Sequence, residues 1–126
     1  IGVPLTLMEL NSTHRFAIVE MGANHQGEIA HLASIAEPNI GIVTNAGAAH
    51  LEGFGGLDGV ANGKGEMFRA LPADGVSVIN ADDKFAALAY YRAMVEDGTG
   101  AEKALPALRA LHERHPNDLA CLDEVL

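Results

Sequence analysis

Several residue types are scarce or missing in this sequence of 126 residues, and each scarcity excludes a class of protein. There is no tryptophan, and aromatic residues make up 5% of the chain, so stacking platforms for nucleic-acid bases are not expected. The single cysteine, Cys121, cannot form an internal disulfide or a thiolate metal cluster, which suits a reducing, cytoplasmic location. No apolar run is long enough to span a membrane.

Basic residues are scarce as well, because 8 Lys and Arg stand against 17 Asp and Glu and give a net charge of −9. A chain this acidic lacks the positive surface that neutralises nucleic-acid phosphates or binds anionic lipid. We therefore expect neither nucleic-acid binding nor membrane insertion. A nucleotide could still bind through glycine-rich backbone and a metal ion, since such sites need no net positive charge.

The glycines divide the chain near residue 80, since all of them except Gly98 and Gly100 lie before it. In this first part the apolar pattern predicts three buried strands, at Arg15–Glu20, Asn39–Thr44 and Gly75–Asn80. Helices are predicted before and between them, at Leu5–Leu10, Gln26–Glu37 and Leu57–Leu71. This alternation favours an α/β fold with a partial parallel sheet flanked by helices.

After Asn80 the pattern is helical only. Helices are predicted over Asp82–Glu96, over Ala101–His115 with a kink at Pro106, and from Pro116 onward. The sequence therefore predicts two parts, which are the sheet-bearing residues 1–85 and a C-terminal helical tail over residues 86–126.

Polar side chains follow each predicted strand, at the edge of a parallel sheet where ligands bind. They are Glu20 at the end of the first strand, Asn45 and His50 after the second, and Asn80 at the end of the third. A carboxylate and an imidazole at neighbouring strand ends can ligate Mg²⁺ or orient a phosphate. The plainer alternative is that Glu20 is the first solvated residue after a buried run and His50 an ordinary loop histidine.

Lys64 is unusual because it lies among apolar residues of a predicted helix and between two glycines that weaken the helix. The run Asn62–Gly65 superficially resembles a phosphate-binding loop, but it does not meet the pattern G-x-x-x-x-G-K-[ST], and no other segment does. The chain as given therefore lacks the usual cradle for a triphosphate, and we expect it to be inactive on its own.

Five blocks of sequence resemble the central ATPase domain of the Mur ligases over about residues 1–85. In order along the chain, these blocks are Ile1–Thr6, Val19–Ile29, Ala48–Gly55, Gly63–Phe68 and Asn80–Asp83. Within the family, Glu20–Glu28 and His50–Gly55 are most similar to the enzymes that add D-alanyl-D-alanine to UDP-MurNAc-tripeptide. The resemblance implies an ATP-dependent, Mg²⁺-requiring amide-bond ligase of peptidoglycan synthesis, of which this chain is a fragment.

The same resemblance implies catalytic and metal-binding roles. Glu20 and His50 would be Mg²⁺ ligands, with His50 also counted among the catalytic residues. Lys64 would be the catalytic lysine that CO₂ converts to a carbamate, an anion that helps to hold a second metal ion.

Binding roles follow from the matching motifs too. Asn45 and Asn80 would lie beside the nucleotide. Asn24, His25 and Gln26 would line the side that receives the muramoyl peptide.

Two departures from the family pattern keep other interpretations open. The family's Ala-Lys-Ala-Lys-Gly-Glu run loses its first lysine in Ala61–Glu66, and the phosphate loop is missing from the sequence as given. One alternative is a related ligase of the folylpolyglutamate or cyanophycin synthetase type, against which Asn24–Gln26 argues. The other is a non-catalytic binding module that docks a partner on residues 86–126. In every case half a sheet exposes an edge, which predicts self-association.

Overall fold

The computed structural model describes residues 2–47, 51–96, 98 and 100–115. Its helices are α1 (Gly2–Met8), α2 (Glu28–Ala36), α3 (Leu51–Phe54), α4 (Leu57–Arg69), α5 (Lys84–Glu96) and α6 (Ala101–Arg114). Its strands are β1 (Ile40–Val43) and β2 (Val76–Ile79). The predicted α/β class, with a small parallel sheet and flanking helices, is confirmed.

The two strands pair in parallel, from Ile40 opposite Val76 to Val43 opposite Ile79. A parallel pair needs a long crossover connection, and α4 lies within it as the sequence predicted. One further backbone hydrogen bond, from the Asn80 amide to the Val43 carbonyl at 3.3 Å, continues the pairing past the strand ends. The carboxyl ends of both strands therefore lie side by side.

The prediction of a buried strand at Arg15–Glu20 is wrong, because this segment has no strand structure. Phe16 is 84% exposed and Ile18 is 96% exposed. A strand needs a neighbour to satisfy its backbone amides and carbonyls, and the sheet of the described residues contains β1 and β2 alone. An apolar run without such a neighbour does not become a strand.

The strands are also less buried than predicted, because helices cover the sheet unevenly. On one face α4 packs so closely that a Cβ on Gly41 would lie 2.8 Å from Met67 Cγ. The opposite face, here called the open sheet face, carries four large residues that are 42–59% exposed: Ile40, Ile42, Val76 and Val78. The expectation of strands buried on both faces is therefore wrong, and only the α4 side is covered.

Each predicted helix that falls within the described residues occurs, with shifted ends. Helix α2 begins at Glu28 because Gly27 has a left-handed φ of 84°, and Pro106 lies inside α6. The short helix α3 was not predicted, and α1 starts and ends earlier than the pattern suggested. The helix predicted from Pro116 lies outside the described residues.

A shared apolar core joins the sheet-bearing part to the helices that follow it. Helices α4, α5 and α6 contribute side chains to it together with Val43 of β1, and Leu88 and Leu108 are completely buried. The rings of Phe68 and Tyr90 meet edge to face with centroids 5.5 Å apart. Residues after position 85 therefore pack directly on α4.

Replacing Leu88 with Ala tests this core. We expect the free energy of unfolding to fall by about 2–5 kcal/mol, because the substitution leaves a cavity between α4, α5 and α6. The matched control is Leu5→Ala in α1, where the side chain is 56% exposed. Urea denaturation followed by circular dichroism measures both, and equal losses for the two variants would contradict the described core.

Candidate functional site

The loops that leave the two strands are joined by Asp83. Its Oδ2 accepts a hydrogen bond from the Ala46 amide at 2.9 Å. Its Oδ1 accepts from the amides of Phe85 and Ala86 at 2.9 and 3.0 Å, in the first turn of α5. Asp83 is thus a side-chain cap of α5 that also fixes the loop after β1.

Lys64 reaches this edge of the sheet from α4. Its Nζ donates a hydrogen bond to the Asn45 carbonyl oxygen at 2.6 Å. The side chain of Asn80, at the end of β2, accepts from the Asp82 amide at 3.1 Å and closes a local turn. Three of the residues singled out in the sequence, Lys64, Asn45 and Asn80, therefore lie at the carboxyl edge of the sheet.

The glycines on either side of Lys64 have a packing reason. A Cβ on Gly63 would overlap the ring of Phe54, the last residue of α3. A Cβ on Gly65 would lie 3.1 Å from the Ala89 carbonyl oxygen of α5. The helix therefore tolerates two weakening residues because they let α3 and α5 approach it closely.

The turn Asn24–Gly27, which precedes α2, is held locally by Glu28. The Oε2 atom of Glu28 accepts from the amides of Asn24 and His25 at 2.7 and 3.2 Å. Its Oε1 lies 3.3 Å from His25 Nδ1. These hydrogen bonds lower the pKa of Glu28 below its usual 4.5. The bond from the Asn24 amide contributes most, and those from His25 contribute less.

The same turn is also held by α4. Glu66 accepts hydrogen bonds from the amides of Gly27 and Ala30, at 2.6 and 3.0 Å. The side-chain amide of Gln26 donates to the Gly59 carbonyl oxygen at 2.9 Å. The turn is thereby attached to the helix that carries Lys64.

The proposed metal ligands are not assembled by the described residues. Glu20 is exposed, and it belongs to the segment that forms no strand. His50 lies outside the described residues. Across residues 2–47, 51–96, 98 and 100–115, no group of three or more His, Cys, Asp or Glu side chains is placed to hold a metal ion. An unmodified Lys64 ammonium group would repel a cation, so these residues as described do not fit Mg²⁺.

Comparison with known proteins decides the family. The family model described as Mur ligase middle domain matches residues 1–104. The chain belongs to the Mur ligase family. This confirms the resemblance inferred from the five sequence blocks.

Curated relatives share a substantial part of this Mur ligase sequence. UDP-N-acetylmuramoyl-tripeptide–D-alanyl-D-alanine ligase of Escherichia coli (strain K12) is 53% identical over 83 residues, which are 66% of this chain and 18% of that protein. The enzymes of the same name from Haemophilus influenzae and Mycobacterium tuberculosis are 52% identical over 82 residues and 45% identical over 83 residues. The alignment with the Haemophilus influenzae enzyme covers 65% of this chain and 18% of that protein, and the alignment with the Mycobacterium tuberculosis enzyme covers 66% and 16%. No solved structure matches the chain.

Sequence reasoning missed several residues that shape this Mur ligase site. Glu66 and Asp83 lie inside recognised blocks but were given no role, and Gly53 and Gly59 were not singled out. One signal was present for Glu66. Gly27 has no side chain that could cap α2, so the first backbone amides of that helix need an acceptor from another part of the chain.

No described helix is long and apolar enough to cross a membrane.

The lowered pKa of Glu28 predicts a pH-dependent turn. The carboxylate is ionised at neutral pH, and its hydrogen bonds are lost only as the pH falls below 4.5 through the lowered folded value. We expect the amide resonances of Asn24 and His25 to titrate below pH 4.5, and Glu28→Gln to abolish this titration. The control Glu37→Gln, at the other end of α2, should leave it unchanged. A transition centred above 4.5 that Glu28→Gln removes would contradict the assignment.

Proposed function

We propose that the chain is the middle-domain part of an ATP-dependent ligase that joins D-alanyl-D-alanine to UDP-MurNAc-tripeptide in the cytoplasm, during peptidoglycan synthesis. The observation that carries this proposal is the 53% identity to an enzyme whose name calls it a ligase of UDP-N-acetylmuramoyl-tripeptide and D-alanyl-D-alanine. The chain spans 16–18% of the length of the curated relatives described above. The activity is therefore proposed for a longer polypeptide that includes this domain.

The proposed reaction activates a carboxylate before it forms an amide. The γ-phosphoryl group of ATP is transferred to the terminal carboxylate of the tripeptide, giving an acyl phosphate and ADP. The amine of D-alanyl-D-alanine then attacks the acyl carbon, the C–O bond to phosphate breaks, and a proton leaves the nitrogen. A free carboxylate is a poor acyl donor, and phosphorylation supplies the leaving group that it lacks.

We propose Lys64, as a carbamate formed with CO₂, and His50 as catalytic residues of this ligase. The support for Lys64 is its contact with the Asn45 carbonyl, which brings its amine to the carboxyl edge of the sheet. Motif matching supports Glu20, His50 and Lys64 as the Mg²⁺ ligands. Because the described residues do not fit the ion by themselves, we derive no step of the reaction from it.

We propose that the nucleotide and the muramoyl peptide approach from different sides of α4. Asn45 and Asn80 would contact the nucleotide, which is supported by their positions just after β1 and β2. Asn24, His25 and Gln26 would line the muramoyl-peptide side, which is supported by the several hydrogen bonds that fix their turn.

We also propose that the chain divides by origin near residue 85, with a middle-domain part over residues 1–85 and a helical tail over residues 86–126. The support is that the relatives named above align over 82 or 83 residues, whereas the middle-domain family model continues to residue 104 in α6. This division concerns origin alone, since α5 and α6 share one core with α4.

Substitution of Lys64 tests the catalytic proposal. In the longest natural polypeptide that carries this sequence, Lys64→Ala should lower phosphate release by about 100- to 1,000-fold, because the proposed anion is lost. Added short carboxylic acids should restore part of the activity by replacing that anion. The control Arg109→Ala removes a positive charge from the exposed surface of α6 and should have little effect. Unchanged activity in Lys64→Ala would show that Lys64 has no catalytic role.

The exposed sheet predicts self-association of the 126-residue chain. We propose that two copies associate through the sheet edge and the adjoining open sheet face, because its four apolar side chains would otherwise remain in water. The sedimentation coefficient should rise with protein concentration, and Ile42→Lys should abolish that rise. Ile35→Lys, at a position on α2 that is 40% exposed, is the matched control. A concentration-independent monomer would contradict the proposal.

A further inference from the structure

We propose that Glu66 is a positioning residue for the muramoyl-peptide side of the site. From α4 it holds the turn Asn24–Gly27 at a fixed offset from Lys64. The inference rests on the proposed function, because it takes that turn as the part that meets the peptide substrate. It adds a role for Glu66, whose hydrogen bonds in the described part of the chain go to the amides of Gly27 and Ala30.

The burial of Glu66 is the first observation. The residue is 8% exposed, and an ionised carboxylate in such a place is costly unless hydrogen bonds compensate it. Both of its oxygens accept from backbone amides that lie 39 and 36 positions away in the sequence, those of Gly27 and Ala30. Hydrogen bonds to a charged acceptor are among the stronger ones in proteins. Glu66 therefore links two distant segments.

The N-terminus of α2 explains why this link is needed. Gly27 adopts a left-handed conformation and has no side chain with which to cap the helix. The first amides of a helix have no partner inside it, and the helix dipole favours a negative charge beside them. Glu66 supplies both the acceptor and the charge from a different helix. The conformation of Gly27 and the carboxylate from α4 therefore together fix where α2 begins.

Two further contacts attach the turn to the same unit. Gln26 donates to the Gly59 carbonyl of α4 at 2.9 Å. Gly53 of α3 lies against the Asn24 carbonyl oxygen, where a Cβ would overlap it. Together with Glu66 these contacts leave the turn little freedom to move independently of α4.

Helix geometry places Lys64 and Glu66 on opposite sides of α4. Two residues along a helix of 3.6 residues per turn are rotated by about 200°. Accordingly, Lys64 contacts the loop after β1, whereas Glu66 contacts the start of α2. One rigid helix thus sets the distance between the proposed catalytic amine and the proposed peptide-binding turn.

Steady-state kinetics can distinguish a role of Glu66 in positioning the turn from a role in stabilising the fold alone. The measurements use the longest natural polypeptide that carries the sequence. Glu66→Ala should raise KM for UDP-MurNAc-tripeptide by about 10- to 100-fold, because a displaced turn misplaces the substrate. KM for ATP and for D-alanyl-D-alanine should stay unchanged. Glu66→Gln keeps one acceptor oxygen and should fall between Glu66→Ala and the unsubstituted protein.

Phe68→Leu is the matched stability control, because Phe68 is buried in the same helix but contacts neither Gly27 nor Ala30 through hydrogen bonds in the described residues. It should lower Tm without a selective change in KM. If Phe68→Leu reproduces the selective rise, or if Glu66→Ala raises all three KM values together, Glu66 only stabilises the fold and the inference is overturned.

Hydrogen exchange gives a readout that does not depend on activity. Glu66→Ala should accelerate amide exchange over residues 24–30 and leave α6 unchanged, whereas Phe68→Leu should not accelerate residues 24–30 selectively. Unchanged exchange over residues 24–30 would overturn the inference whatever the kinetics show. Absence of ligase activity in the unsubstituted protein would instead refute the proposed function. The exchange result alone would then show whether Glu66 anchors the turn Asn24–Gly27 to α4.

Discussion

The close packing of α4 against all of its neighbours is the constraint on which the rest of this structure depends. Gly63 and Gly65 remove the side chains that would keep α3 and α5 at a distance, and Gly41 does the same on the strand below. A helix with glycines inside it is intrinsically weak, so its stability has to come from tertiary contacts. The apolar core shared with α5 and α6 supplies them.

This central position makes α4 the element that relates the two sides of the site. One side presents Lys64 to the carboxyl edge of the sheet, and another presents Glu66 to the start of α2. Asp83 has a comparable role at the edge itself, since it holds Ala46 and the first turn of α5 together. The site is thus a set of loops whose relative positions are fixed by buried or capping carboxylates on helices.

Much of this architecture could be predicted from local patterns. Apolar spacing and the positions of Pro and Gly located the main helices and the parallel pair, and the sequence blocks identified the family. The strand expected at Arg15–Glu20 failed for a specific reason. Its apolar residues indicate a tendency to be buried, but burial requires a neighbouring strand, and the described sheet provides none beside it. Ile40 and Ile42 are exposed for a different reason, because α4 covers only the other face of the sheet.

The sequence by itself determined the main helices, the parallel pair of strands and the family to which the chain belongs. These properties depend on residues a few positions apart, so the spacing of residue types along the chain is enough to predict them. Only the tertiary structure decided that Lys64 meets Asn45, that Glu66 caps α2 and that Gln26 binds Gly59. These partners lie 19 to 39 positions apart, and no periodicity relates them. They meet because the packing of α4 brings their segments together.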